Sequence, residues 1–364
     1  MRQTNITGKM RFFTILMAAL ALLAAMWAGV IRIGWAWNPI QAKWILSHGA
    51  MMVSGFLGTV IGVERAIALN KLWTFASPVL AALGALALLL GLPSIIGTVL
   101  VLLGSLLLVA VFGLILKMHT AIYTGTMALG AVLWAVGNLV IFFGGAVWLA
   151  AGWWMGFLLL TVAGERLELS RILRLSAKVQ NMFIGITAIY VLGLGVTLVN
   201  LSLGGRIAGV GVLLMGLWLA QYDIARRTIK TEGLSKFIAA ALLTGYFWLV
   251  VSGALALIFG GQIAGLRYDA ILHSLLVGFV ISMIFGHAPI IFPAVFGKEI
   301  PYTNWFYSHL ILLHASLLLR VGGDLAVLPM WRKWGGLLNM IAILLFLANT
   351  ITAVMRGKKR LKYD

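Results

Sequence analysis

The chain has 364 residues, of which 62% are hydrophobic and only 10% charged, and its mean hydropathy is +1.07. A water-facing domain carries about 25% charged residues, so this composition excludes a soluble fold and defines an all-α polytopic membrane protein. Cysteine is absent, which excludes disulfides, thiolate metal sites and covalent c-type haem attachment. The formal charge of +18 does not point to nucleic acid, because cytoplasmic membrane loops collect Lys and Arg.

A membrane span needs about 20 mostly apolar residues. In chain order, twelve segments meet that need: 12–33, 43–69, 74–92, 95–116, 121–143, 146–164, 180–201, 205–221, 236–259, 269–296, 303–321 and 334–355. The third and fourth are joined by little more than Gly91, Pro93 and Ser94. The first is too long for a cleavable signal and is followed by eleven more. With the N-terminus inside, the inner segments hold 20 Lys and Arg residues and the outer segments hold seven: Arg32, Lys43, Arg206, Arg267, Arg320, Arg332 and Lys333. That bias predicts a multi-pass protein of the inner (cytoplasmic) membrane with both termini cytoplasmic.

The second, sixth and tenth segments repeat a pattern: GFLGTVIGVERA from Gly55, GFLLLTVAGERL from Gly156 and GFVISMIFGHAP from Gly278. Each has Gly-Phe, an apolar run, and a polar residue nine positions after the first Gly, namely Glu64, Glu165 and His287. The repeats lie 101 and 122 residues apart. They predict a single transmembrane domain of three four-helix units, about 1–120, 121–230 and 231–364, related by a pseudo-threefold axis.

Ionisable groups inside a membrane are costly and mark functional sites. His48 and His273 both lie near the outer ends of repeat helices, roughly 6–8 Å in at 1.5 Å per residue. His48 precedes its repeat glycine by seven residues and His273 by five, a difference of about 200° around a helix. Two imidazoles at equal depth and opposed rotation can ligate the iron of a b-type haem from both sides, with no covalent link. Trp35, Trp37 and Trp44 precede His48, and Tyr268 precedes His273. Lys43, Arg267, Arg332 and Lys333 supply cations for the propionates. The competing reading is two unrelated interfacial histidines bonded to neighbouring helices.

On this pattern of helices, and on HSLLVGFVISMIFGHAP and LHASLLLRVGGDL in the tenth and eleventh segments, the chain resembles the heme-copper oxidase catalytic subunit and, more closely, the NnrS family of haem- and copper-associated membrane proteins. The resemblance implies an oxidase subunit I-like fold, low-spin haem ligands at His48 and His273, and electron transfer from a redox partner or quinone. A link to nitric oxide comes from NnrS alone. The sequence departs from the oxidases where their high-spin ligand would fall, at Ile271, and no histidine occurs in Leu149–Glu165 or in the seventh and eighth segments. A dioxygen-reducing haem–copper centre is therefore not expected.

Near the inner ends, His287, His309 and His314 can bind copper, with Glu64 or Glu165 in support. The blander account is helix-end pairs, Glu64 with Arg65 and Glu165 with Arg166. His119 reads as an interfacial residue, Asp223 and Glu232 as solvated charges, and Arg320 and Asp324 as members of an outer turn. The rival functional class is an ion or small-solute transporter or channel without haem, which internal repeats also suit.

Overall fold

A computed structural model describes residues 2–296 and 300–360, with side chains for 7–293 and 300–356. Arg2, Lys298 and the basic residues from Lys358 onward, which enter the charge census, lie outside the described side chains. Every predicted apolar segment falls on a helix, as it must where no water can satisfy backbone N–H and C=O groups. These are α1 (Arg2–Arg32), α2 (Ala42–Leu69), α3 (Leu72–Leu89), α4 (Ser94–Met118), α5 (Ile122–Phe142) and α6 (Val147–Leu169). The rest are α7 (Ala177–Thr197), α8 (Leu201–Tyr222), α9 (Gly233–Phe259), α10 (Gly265–Phe296), α11 (Phe306–Leu325) and α12 (Pro329–Arg360).

Among the described residues, eleven of these helices are long and apolar enough to cross a membrane. The other is α11, whose two histidines, Arg320 and Asp324 dilute its apolar content. Helix α6 also departs from expectation. It runs beyond residue 164 to Leu169 and on through a 3-10 turn to Leu173, so Glu165 and Arg166 sit within a helix rather than after one. Charged residues read as a boundary only if they are solvated, and Arg166 is buried.

The chain divides into two compact units, residues 1–164 and 165–364, the division falling inside α6. In the first, α1 packs on α2 and α3, and α3, α4 and α5 follow as antiparallel neighbours. In the second, α7 to α12 pack in sequence, each on the next. Small residues make the tightest approaches. A Cβ on Gly193 would lie 2.3 Å from Ala208 N, one on Gly253 2.3 Å from Leu213 N, and one on Gly335 2.5 Å from Arg320 N. The last draws α11 and α12 together beside Arg320.

The internal repeat has a backbone counterpart. Helices α2 and α10 both switch from α to π geometry, over Met51–Gly58 and Ser274–Ile281. These two segments are offset by 223 residues, the offset of Gly55 from Gly278. The corresponding part of α6 is α-helical throughout. A π turn accommodates one extra residue and occurs mostly at functional sites. In each segment a glycine admits an indole from a neighbouring helix. A Cβ on Gly58 would meet Trp134 at 2.5 Å, and one on Gly278 would meet Trp248 at 2.4 Å.

Candidate functional site

His48 lies three residues before the first π segment and His273 immediately before the second. In the first unit, the His48 ring rests on Gly29 of α1, where a Cβ would lie 2.9 Å from Cε1. Its Nδ1 lies 2.7 Å from the Ala25 carbonyl oxygen. A carbonyl can only accept, which assigns the proton to Nδ1 and leaves Nε2 with the lone pair. That is the arrangement a metal-ligating histidine commonly shows. The outer end of α2 is tied down around it: Lys43 Nζ donates to Gly91 O at 2.7 Å, Arg32 Nη1 to Ile45 O at 2.9 Å and Trp44 Nε1 to Leu89 O at 3.1 Å. Trp37 packs between Trp27 and Trp35, with centroids 4.7 and 6.4 Å away.

Six residues beyond His48 on α2 the same unit holds a buried polar relay, centred on Ser54. Trp134 Nε1 donates to Ser54 Oγ at 3.0 Å, and Trp154 Nε1 donates to Asn138 Oδ1 at 3.0 Å. Ser54 belongs to the π segment and contacts Asn138 Oδ1 at 3.5 Å. Indole N–H groups buried in a membrane need such acceptors.

In the second unit, His273 is set in a network of charges. Its Nδ1 lies 3.0 Å from the Asp269 carbonyl oxygen and 3.3 Å from Asp269 Oδ1. Arg320 of α11 grips Asp269 with two bonds, Nε to Oδ2 at 2.8 Å and Nη2 to Oδ1 at 2.9 Å, and Nη2 also reaches His273 Nε2 at 3.2 Å. Arg332 of α12 pairs with Asp324 at 2.9 Å and with Asp269 at 3.6 Å. Two carboxylates thus meet two guanidiniums, the pairing that buried charges require. Arg320 and Asp324 are therefore parts of α11 and of this network, not of an outer turn. Of the other proposed propionate cations, Arg267 stacks on Phe259 at 4.6 Å, and Lys333 follows Arg332 in the first turns of α12.

A second Asp–Arg–His arrangement lies fourteen positions further along α10. Arg166 of α6 binds Asp223 through Nε to Oδ2 at 2.8 Å and Nη2 to Oδ1 at 2.9 Å, and its Nη1 lies 3.2 Å from His287 Nε2. His287 Nδ1 lies 2.8 Å from the Met283 carbonyl oxygen. The Arg166 and Asp223 side chains are 4% and 0% exposed. Asp223 is thus no solvated loop charge, and the Arg166 guanidinium is engaged by Asp223 and His287. Asp223 was missed because its neighbours in sequence are polar. The available signal was Arg166, a cation at the end of an apolar segment, which needs a partner once the helix continues through it. The other expected pair is present, Arg65 Nη2 lying 3.4 Å from Glu64 Oε1.

The three histidines proposed for copper occupy separate settings. His287 faces Arg166. His309 is boxed by Phe237, Phe285, Phe306 and Phe346, with Asn349 Nδ2 3.1 Å from its Nδ1. His314 has both nitrogens engaged: Nδ1 accepts from Trp248 Nε1 at 3.0 Å and Nε2 lies 3.5 Å from Ser282 Oγ. Among the described residues no group of three or more His, Cys, Asp or Glu could hold a metal ion. These residues do not fit a copper site. His119 follows α4 and bonds the Tyr123 hydroxyl.

A solved heme-copper terminal oxidase, determined as a dimer by cryo-electron microscopy, is similar in fold, with a TM-score of 0.59 and 13% sequence identity. The alignment covers 96% of this chain and 84% of the oxidase chain. The protein is therefore an all-helical, multi-pass membrane protein of heme-copper oxidase-like fold. A family model described as a domain of unknown function, DUF8744, matches residues 11–355, and the chain belongs to that family. No curated relative matches the chain.

Proposed function

We propose that this protein is a haem-bearing redox protein of the inner membrane, with both termini cytoplasmic, α11 as a twelfth span, and His48 and His273 as the iron ligands. The observation that supports this reading is that each histidine comes shortly before a π segment, His48 by three residues and His273 by one, with Nδ1 at a backbone carbonyl. The glycine cradle under His48 fits a ring held for ligation rather than packed into a core. For His273 to present Nε2, Arg320 gives up its 3.2 Å contact and keeps its bonds to Asp269. When bound, the haem supplies a one-electron couple. The chain's own residues orient the imidazoles and place guanidiniums beside one of them. Three finer points rest on resemblance alone: electron supply by a redox partner or quinone, nitric oxide-related chemistry, and the NnrS likeness.

The visible spectrum of the detergent-purified protein tests the reading. One six-coordinate low-spin haem is expected. His48→Ala and His273→Ala should each abolish or convert its spectrum, while His119→Ala leaves it intact. A folded, haem-supplemented protein with no Soret band would overturn the proposal and favour a haem-free transporter.

A further inference from the structure

The first unit contains N–H groups for which the surrounding helices supply no acceptor. Asn138 of α5 is 3% exposed. An indole N–H can only donate, so the Asn138 atom 3.0 Å from Trp154 Nε1 is Oδ1, and Ser54 Oγ approaches that same oxygen at 3.5 Å. Trp154 thus settles the orientation of the amide, and Nδ2 is left without an acceptor among the described residues. Trp153 Nε1, one residue earlier on α6, is also buried and has none. Both groups belong to one helix contact. A Cβ on Gly137, next to Asn138, would lie 3.2 Å from Trp153 Cβ and 2.6 Å from Trp154 Cδ1. Buried donors without partners are rare and call for a reason, above all in a bilayer, where bulk water is not at hand.

We propose that the α5–α6 contact of this unit is a binding site for one water molecule, which accepts from Asn138 Nδ2 and Trp153 Nε1. The donors decide the class of ligand. They are neutral N–H groups, so the occupant must be an acceptor. No charged residue occurs in α5 or in α6 up to Gly164, so there is no cation to compensate a bound anion, and the occupant is neutral. The indoles of Trp153 and Trp154 pack against the α5 backbone at Gly137, so it is also small. Water meets all three requirements. A buried water typically makes about three hydrogen bonds, and helix carbonyls, each with a second lone pair, can take its protons. The site is continuous with the opened part of α2, because Trp134 Nε1 donates to Ser54 Oγ at 3.0 Å and Ser54 lies in the π segment. The bound water completes this network, and with it the amide and three indoles can be buried at a helix contact. The proposal stands whether or not the protein carries haem.

Hydroxyl-radical labelling by a brief X-ray pulse tests this on the full-length protein in detergent, because a bound water is converted to the radical that oxidises its neighbour. Trp153 should be oxidised, whereas Trp248, equally hidden but donating to His314, should not. When the protein is mixed with 18O-water just before the pulse, oxygen added to Trp153 should remain 16O, because a trapped water exchanges slowly. Oxygen added to the exposed Trp331 should be 18O at once. Asn138→Leu keeps the bulk of the side chain and removes the donor, and in the folded variant the labelling of Trp153 should be lost. A wild-type Trp153 as inert as Trp248 would overturn the proposal, and so would one that takes up 18O as fast as Trp331.

Discussion

Arg166 and Asp223 show how a residue's role depends on what lies across from it in space. Each alone is a charge in a low-dielectric interior, and together they are a two-bond pair with no exposed surface on the carboxylate. Breaking such a pair costs about 3–5 kcal/mol, because the survivor is left uncompensated, whereas replacing both partners with apolar residues can be neutral. Asp223→Ala should therefore lower stability by about that amount, and Arg166→Met combined with Asp223→Leu should recover most of it. Unfolding by SDS titration in mild detergent measures both. A double variant as unstable as the single one would show that the pair is not the source of the loss. In the sequence Asp223 stands among solvated basic residues, and no periodicity distinguishes a carboxylate that turns inward.

The informative elements are α2 and α10. Their π segments coincide under the repeat offset, and each opens at a glycine where a tryptophan enters. The Gly-Phe repeat was legible because it is written in the chain itself, although the glycines that admit the two tryptophans, Gly58 and Gly278, are not at the same position of the repeat. The π geometry itself was not legible, since apolar residues form either helix and neighbouring packing decides between them. Gly278→Ala places a methyl group 2.4 Å from Trp248 Cβ, and overpacking of this kind costs about 1–3 kcal/mol. Gly113→Ala on α4 meets nothing within 4 Å, and it should be neutral or stabilising by up to about 1 kcal/mol through helix propensity. Thermal unfolding of the two variants in detergent compares them directly, and equal effects would deny Trp248 its place in the π segment.

For the whole molecule, the status of α11 decides topology. Eleven spans put the termini on opposite sides of a membrane, and twelve put them on the same side. The charge census predicts the same side, which requires α11 to cross despite its polar content. That content is partnered: Arg320 with Asp269, Asp324 with Arg332, His314 with Trp248 and His309 with Asn349. Pairing removes most of the cost of burying it. A reporter fused after Asp364 should be cytoplasmic, and a cysteine introduced at Gly261 should be labelled from outside by an impermeant thiol reagent. A C-terminus on the far side would exclude α11 as a span and with it the twelve-helix architecture.

The sequence alone determined the membrane class, the positions of the helices and the shared pattern of α2 and α10, because hydropathy and repeat spacing act along the chain and need no partner. It also singled out His48 and His273, since an imidazole within an apolar segment is conspicuous without any structure. Only the tertiary structure decided which polar groups meet. It joined Arg166 to Asp223 across 57 positions and Arg320 to Asp269 across 51, and it dispersed His287, His309 and His314 into three surroundings. Compensation of a charge in a low-dielectric medium is local in space, and residues that meet on different helices leave no mark on each other's neighbours in sequence.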